Sequence, residues 1–178
     1  SRAKFTATGG RIAFGLSAIK NVGMAAIDAI TSEREANGQF TSLLDFCHRI
    51  DLRVVNKRVL ESLIRCGAFA STGANRAQLL ASLDKCLEKA AAEHKSQQSG
   101  QISMFDLLAA TDAVPAIEVD MPDIPEFPTE ELLAMEKELL GMYVSGHPLD
   151  QYRRALSAST THKMSSLADA ENGKQIII

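Results

Sequence analysis

Two sets of residues in this chain have types and spacing suited to chemistry, and in both the chemistry is binding. The first is Lys20-Asn21-Val22-Gly23, a short turn between two apolar stretches. Such a turn leaves backbone N–H groups unpaired beside the positive end of the following helix, and Gly23 lets a ligand come close to the backbone. An anion suits it. The second set is Gln101-Ile102-Ser103-Met104-Phe105, an apolar island between the polar run Lys95-Ser96-Gln97-Gln98-Ser99-Gly100 and a stretch rich in Pro and acid. Burying Met104 and Phe105 is worth roughly 1.5–3 kcal/mol each, so either the chain folds back over them or a partner covers them.

Signals for catalysis are sparse. Cys47 and His48 are adjacent and cannot both point into one site from a helix, and His94, His147 and His162 are scattered without ligand spacing. With no Cys-x-x-Cys pair either, no metal site and no cofactor is expected in this segment. His147, in Ser145-Gly146-His147-Pro148, reads as a turn or capping residue. Glu130, Glu131, Glu138 and Asp150 read as helix-face carboxylates, and no Gly-rich loop of nucleotide-hydrolase type is present. The three cysteines, Cys47, Cys66 and Cys86, lie in apolar patterns and read as reduced core thiols.

These residues need a scaffold, and composition says what kind. The chain has 178 residues, 46% hydrophobic and 5% aromatic, and its wealth of Ala, Leu and Ile points to a mainly helical protein with a real core. No apolar run approaches the roughly 20 residues of a membrane helix, so a soluble, cytoplasmic protein is expected. The formal charge of −3 hides an asymmetry: residues 1–95 carry 14 Lys/Arg against 9 Asp/Glu, whereas residues 96–178 carry 5 against 13. Nucleic-acid contact therefore belongs in the first part.

Along the chain, residues 4–6 and 11–14 flank Thr8-Gly9-Gly10 and predict a small β-hairpin. Residues 16–19 form an apolar turn, and Met24, Ile27 and Ile30 continue at helical spacing until Asn37-Gly38. Ser42 caps a helix with Leu43, Leu44, Phe46 and Cys47; Asn56 caps another with Val59, Leu60, Leu63 and Ile64, ended by Gly67. Asn75 and Gln78 stand at capping-box spacing and open a long helix to about residue 93. Pro115, Pro122, Pro125 and Pro128 then forbid regular structure, in a linker that is laid along a surface or free. Thr129 caps a helix over 130–140, and a short helix follows over 149–156. The start at Ser1 and the run Lys174-Gln175-Ile176-Ile177-Ile178 predict a fragment whose last residues open a strand. The expected divisions are 1–95, a linker 96–128, a helical connector 129–172, and the strand start 173–178.

The helix, tight turn and helix around Lys20, Asn21, Val22 and Gly23 resemble the helix-hairpin-helix motif, which grips a DNA phosphate without reading sequence. Asn21 stands where the motif usually has a first Gly, and Asn is the non-Gly residue that best tolerates positive φ. A second, less regular copy can be drawn at Leu63-Ile64-Arg65-Cys66-Gly67-Ala68-Phe69 before the Asn75 helix. Around it stand Arg53, Lys57, Arg58, Arg65 and Arg76. Lys57 and Arg58 fall in a first helical turn, where the dipole disfavours cations and an external anion would relieve them; a solvated basic face is the alternative.

A wider likeness runs in order through Phe14-Gly15-Leu16-Ser17-Ala18-Ile19, Phe40-Thr41-Ser42-Leu43, Asn56-Lys57-Arg58-Val59-Leu60-Glu61, Gly67-Ala68-Phe69, Glu136-Lys137-Glu138-Leu139-Leu140-Gly141 and Ser145-Gly146-His147-Pro148-Leu149. Together these resemble the C-terminal third of the bacterial replicative DNA polymerase III alpha family. The resemblance implies a tandem helix-hairpin-helix unit with a small N-terminal β-hairpin, binding duplex DNA through Lys20, Asn21, Val22, Gly23, Lys57, Arg58, Arg65, Gly67 and Arg76. Of these, the hairpin and the DNA-contact residues are the ones already read from turn chemistry and charge; the resemblance adds an internal sliding-clamp-binding motif carried by Gln101, Met104 and Phe105, then a helical connector into the first strand of a truncated OB-fold. Partners would be duplex DNA, the clamp (beta subunit) and other subunits of the polymerase III holoenzyme. The parent would be a DNA-directed DNA polymerase, a nucleotidyltransferase whose catalytic aspartates hold Mg2+ upstream, so this segment itself would be non-catalytic. A structural connector, or a helix-hairpin-helix module of a repair protein, are the alternatives.

Overall fold

The computed structural model describes residues 2–98, 120–162, 173 and 176–177. Six α-helices are described, with one two-stranded antiparallel sheet at the N-terminal end, so the fold is mainly α as expected. Strands β1 (Thr6–Thr8) and β2 (Arg11–Ala13) pair Thr6 with Ala13, Ala7 with Ile12 and Thr8 with Arg11. Gly9 and Gly10 both take positive φ, 59° and 74°, which a two-residue hairpin turn of this hand requires. A turn that tight pairs its immediate neighbours, so the first strand lies two residues later than the expected 4–6. Residues 2 and 3 serve a different contact: the amides of Leu16 and Ser17 donate to the carbonyls of Arg2 and Ala3 at 2.9 and 3.0 Å. Gly15 permits that approach, because a Cβ there would stand 2.7 Å from the backbone of Lys4 and Phe5.

A 3-10 turn (Leu16–Ala18) leads through the Asn21 turn into α1 (Met24–Asn37), which ends at Gly38 with φ 80°. Helix α2 (Leu43–Arg49) is capped by Ser42, whose hydroxyl accepts from the Asp45 amide at 3.0 Å. Helix α3 (Lys57–Arg65) is capped by Asn56, which accepts from the Val59 amide at 3.2 Å. Its far end is closed by Gly67 at φ +81°, with Gly67 N–H donating to Ile64 and Ala68 N–H to Leu63, the paired bonds of a Schellman stop. Helix α4 (Arg76–Gln98) runs longer than expected and begins with a reciprocal box: Gln78 N–H donates to Asn75 Oδ1 at 2.8 Å, and Asn75 N–H to Gln78 Oε1 at 3.0 Å. These helices enclose one core that includes Ile27, Leu43, Leu60, Ile64, Leu79 and Leu83, each no more than 2% exposed, with the apolar stripe of α4 against α2 and α3.

Residues 120–128 are laid along α4. Ser82 Oγ reaches Met121 Sδ at 3.3 Å, Gln78 Nε2 donates to the Pro122 carbonyl at 3.0 Å, and Asn75 Nδ2 donates to the Ile124 carbonyl at 3.0 Å. Prolines at 122, 125 and 128 leave this strip without ladder partners, and side chains of the helix satisfy its carbonyls instead. Helix α5 (Thr129–Leu140) starts at Thr129 itself, with Pro128 at the N-cap and no side-chain cap bond, which corrects the capping role expected of Thr129. A proline in that position has already set the backbone for helix entry, and Glu130 and Glu131 supply the charge that suits the dipole. The expected short helix divides into a 3-10 turn (Pro148–Tyr152) and α6 (Arg153–Ser159). His147 is a cap: its Nδ1 accepts from the Leu149 amide at 3.2 Å, and Asp150 accepts from the His147 amide at 2.8 Å. The strand expected at 174–178 falls mostly outside the described residues. Of its described part, Ile177 donates its amide to Thr161 Oγ1 at 3.0 Å and carries no strand.

The elements converge on Glu136, a carboxylate only 1% exposed. It accepts from Arg76 Nη2 at 2.7 Å and from the amides of Val144 and Ser145 at 2.7 and 2.9 Å. Burial pushes its pKa up, but the Arg76 guanidinium and the two amides outweigh burial and hold it below the usual carboxylate range. A carboxyl lowered in the folded state binds fewer protons there than in the unfolded chain. Its stabilisation is therefore complete above the unfolded value, about 4.3, and is lost as pH falls through the folded value. Glu136→Ala leaves Arg76 unpaired and should cost about 3–5 kcal/mol in urea unfolding at neutral pH, with the loss shrinking toward pH 3. A cost under about 1 kcal/mol would show that the pair does not hold the fold together.

Candidate nucleic-acid interface

Asn21 is the one non-glycine residue with positive φ, 68°, among the described residues. That conformation reverses the chain between the Leu16–Ala18 turn and α1, and two bonds hold it from outside. The Asn21 amide Nδ2 donates to Ser62 Oγ on α3 at 3.1 Å, and the Lys20 N–H donates to the Leu139 carbonyl near the end of α5 at 3.0 Å. Val22 is buried and its N–H donates to Ile19 at 3.3 Å, so the apolar side of the turn faces the core. Lys20, Asn21, Gly23 and Met24 stay exposed.

The turn opens into the N-terminus of α1. Gly23 is its N-cap, no side chain caps it, and its first turn has no acidic residue. The leading amides of a helix have no partner within the helix, and here a Cβ at Gly23 would meet nothing within 4 Å. Gly23 has an ordinary extended conformation, φ −79°, so it serves access rather than backbone strain. The result is an open set of N–H donors at a positive dipole end, with the Lys20 ammonium on the same turn.

The bond from Asn21 to Ser62 also places α3 beside this turn. Arg58 and Arg65 lie four residues before and three after Ser62, so they share its face of α3. Arg58 is exposed with no side-chain partner among the described residues, while Arg65 reaches Glu138 at 3.5 Å. Lys57 pairs with Asp84 on α4 at 2.6 Å, with both side chains at least half exposed, and is free to exchange that partner for another anion. Arg53 closes on Asp51 at 2.8 Å.

The second turn is different. Gly67 takes positive φ, but a Cβ there would stand 2.9 Å from the Arg76 guanidinium, so the space over it is filled. Arg76 donates Nη1 to the Arg65 carbonyl at 2.9 Å and Nη2 to Glu136, with 15% of its side chain exposed. The structure thus gives Arg76 and Gly67 an internal occupation where the sequence suggested a phosphate contact. The capping box at Asn75 and Gln78 satisfies two amides locally, and the fact that Glu126 and Glu136 come back to this helix start from 50 and 60 residues away has no local sequence signal. Arg49 was likewise not singled out, yet it bonds Glu33 and Asp45 at 2.9 and 3.2 Å and stacks on Phe40, stitching α1 to α2. Gln101, Met104 and Phe105 lie outside the described residues. Burial raises the thiol of Cys47 to about 12 and that of Cys66 to about 11, which makes both poor nucleophiles.

Residues 1–79 match the family model described as helix-hairpin-helix motif, a span that takes in both turns and the opening of α4. The chain is 39% identical to DNA polymerase III subunit alpha of Vibrio cholerae over 95% of its length, and 40% identical to that of Borreliella burgdorferi over 93%. It is 41% identical to that of Thermus aquaticus over 98%. The chain belongs to the DNA polymerase III alpha family. It spans about 14% of the length of these curated relatives. Family membership agrees with the order of short matches from Phe14 to Leu149, and the helix-hairpin-helix match covers the geometry built around Asn21.

The turn's conformation supplies a direct check. Asn21→Gly relieves the positive φ while losing the bond to Ser62, so its stability should stay within about 1 kcal/mol of the parent. Asn21→Val suffers both losses and should be destabilised by about 1–2 kcal/mol or more. Equal stabilities of the two variants in thermal or urea unfolding would contradict the strained turn.

Proposed function

We propose that this chain is the part of a replicative polymerase that holds duplex DNA by its phosphates and tethers the enzyme to its sliding clamp. The observation that carries the first half is the Asn21 turn, which opens an uncapped helix N-terminus beside Lys20 and the Arg58 face of α3. Donors of this kind meet phosphate oxygens and not base edges, so binding is independent of sequence. On this reading polymerase chemistry, with its Mg2+ ions, is carried by other parts of the parent polymerase, and the chain's own work is to position DNA. Association with the other holoenzyme subunits follows from the same reading.

The clamp half rests on the resemblance of Gln101, Met104 and Phe105 to the family's internal motif. Two apolar anchors supply affinity, and an amide with both donor and acceptor fixes register. The flanks suit presentation of such a segment, since α4 leads into it and residues 121–126 return to the first turns of the same helix. Ordering a free peptide on its partner offsets much of the burial, so an isolated 101–108 peptide should bind at roughly micromolar dissociation constants or weaker. DNA held by the helical unit raises the effective affinity by tethering.

Two measurements bear on these halves separately. Phe105→Ala or Gln101→Ala should abolish capture of the chain by an immobilised bacterial sliding clamp with the helical spectrum unchanged; undiminished capture would remove the motif assignment. Duplex affinity should fall steeply between about 50 and 200 mM salt, and Lys20→Glu or Arg58→Glu should lower both affinity and slope. An affinity indifferent to salt would rule out phosphate contact.

A further inference from the structure

The second turn carries its own anion. The carboxylate of Glu126, brought back by the 120–128 strip, accepts from the amides of Arg76 and Ala77 at 2.9 and 3.1 Å, the first two residues of α4. A third bond, from the Phe127 amide at 2.9 Å, fixes its orientation. Two carboxylate oxygens thus stand against the leading donors of a helix, where a phosphate oxygen pair would stand if this turn worked as the first one is proposed to. Burial raises the Glu126 pKa, but the three amides and the Arg76 charge outweigh it, so the group is held ionised. The nearby cation is taken as well, since Arg76 is bound to Glu136 at 2.7 Å and Arg65 reaches Glu138. By contrast, the α1 terminus has no cap, no acidic residue in its first turn, and an exposed Lys20 beside it.

We propose that Glu126 is an internal phosphate mimic that closes the second hairpin, so that duplex DNA is gripped through the Asn21 turn and the adjoining α3 face and not through the α4 terminus. This rests on the duplex-binding reading above and divides its labour between the two hairpins. The second becomes a structural joint between the 120–128 strip, α4 and α5. The first remains the working grip. With Glu126, Glu136 and Glu138 cancelling the helix terminus, Arg76 and Arg65, this end of α4 has less attraction for a DNA backbone, which sets the side of the unit on which the duplex lies.

The test uses the full 178-residue chain and two added carboxylates. Ala25→Glu places one in the first turn of α1, where the helix dipole favours it and folding is kept. Ser71→Glu places one on the exposed 3-10 turn Ala70–Thr72, between the Gly67 stop and α4 in the second hairpin. Titrated against a fluorescent duplex, Ala25→Glu should weaken binding about tenfold or more, while Ser71→Glu should stay within about twofold of the parent. A loss at Ser71→Glu equal to that at Ala25→Glu overturns the proposal. A parent chain that does not bind duplex overturns the duplex reading instead, and a second arm then judges Glu126 alone. With inorganic phosphate as probe, the amide NMR signals of Arg76 and Ala77 should shift in Glu126→Ala and not in the parent. Shifts in the parent would show the seat is open, and no shift in the variant would show it is no anion seat.

Discussion

A carboxylate with almost no solvent contact must find donors for both oxygens or give up its charge, and Glu136 meets that demand from three directions. Arg76 comes from α4, and the Val144 and Ser145 amides come from the turn after α5. None of these can shift without stranding a buried charge, which makes the arrangement cooperative and not a sum of contacts. The hairpin that is proposed to meet DNA hangs on the same frame. Leu139, three residues beyond Glu136 on α5, accepts the Lys20 N–H, so the helix that buries the ion pair also fixes the reach of the Asn21 turn.

Local chemistry was readable from sequence wherever a residue answers a neighbour's backbone. Ser42, Asn56, the Asn75 and Gln78 pair, the Gly67 stop and the His147 cap each satisfy an orphan group within five residues, so residue type and spacing are enough to find them. The Asn21 turn was readable for the same reason: Asn between apolar stretches is a specific request for positive φ. Thr129 misled because two adjacent residues could open α5, and the proline before it already has the backbone geometry that a cap would impose.

What the sequence did not disclose are the long-range carboxylates. Glu126 and Glu136 look like their acidic neighbours in a strip rich in Asp and Glu, and only folding selects them. Arg76 illustrates the cost of that blindness. In the linear chain it is a basic residue at a helix start close to a hairpin, where phosphate is the natural partner; in the folded chain its guanidinium is bound to the buried carboxylate of Glu136 at 2.7 Å. The same applies to Gly67, whose open backbone accommodates the Arg76 guanidinium and not an external group.

The charge asymmetry of the chain acquires a different meaning in this light. A basic front and an acidic back need not be two surfaces facing different partners, because residues 120–140 fold onto the front half and spend part of their negative charge there. Neutralisation is selective: it falls on the α4 terminus, on Arg76 and on Arg65, and spares Lys20, Arg58 and the α1 terminus. Positive charge therefore survives around the Asn21 turn, which is tied to the frame by Ser62 and Leu139. A grip on phosphate needs donors that do not move when the ligand arrives, since ordering them would consume the binding energy. The acidic half contributes to that rigidity through α5, whose Leu139 carbonyl holds the Lys20 N–H one turn from the Glu136 that binds Arg76.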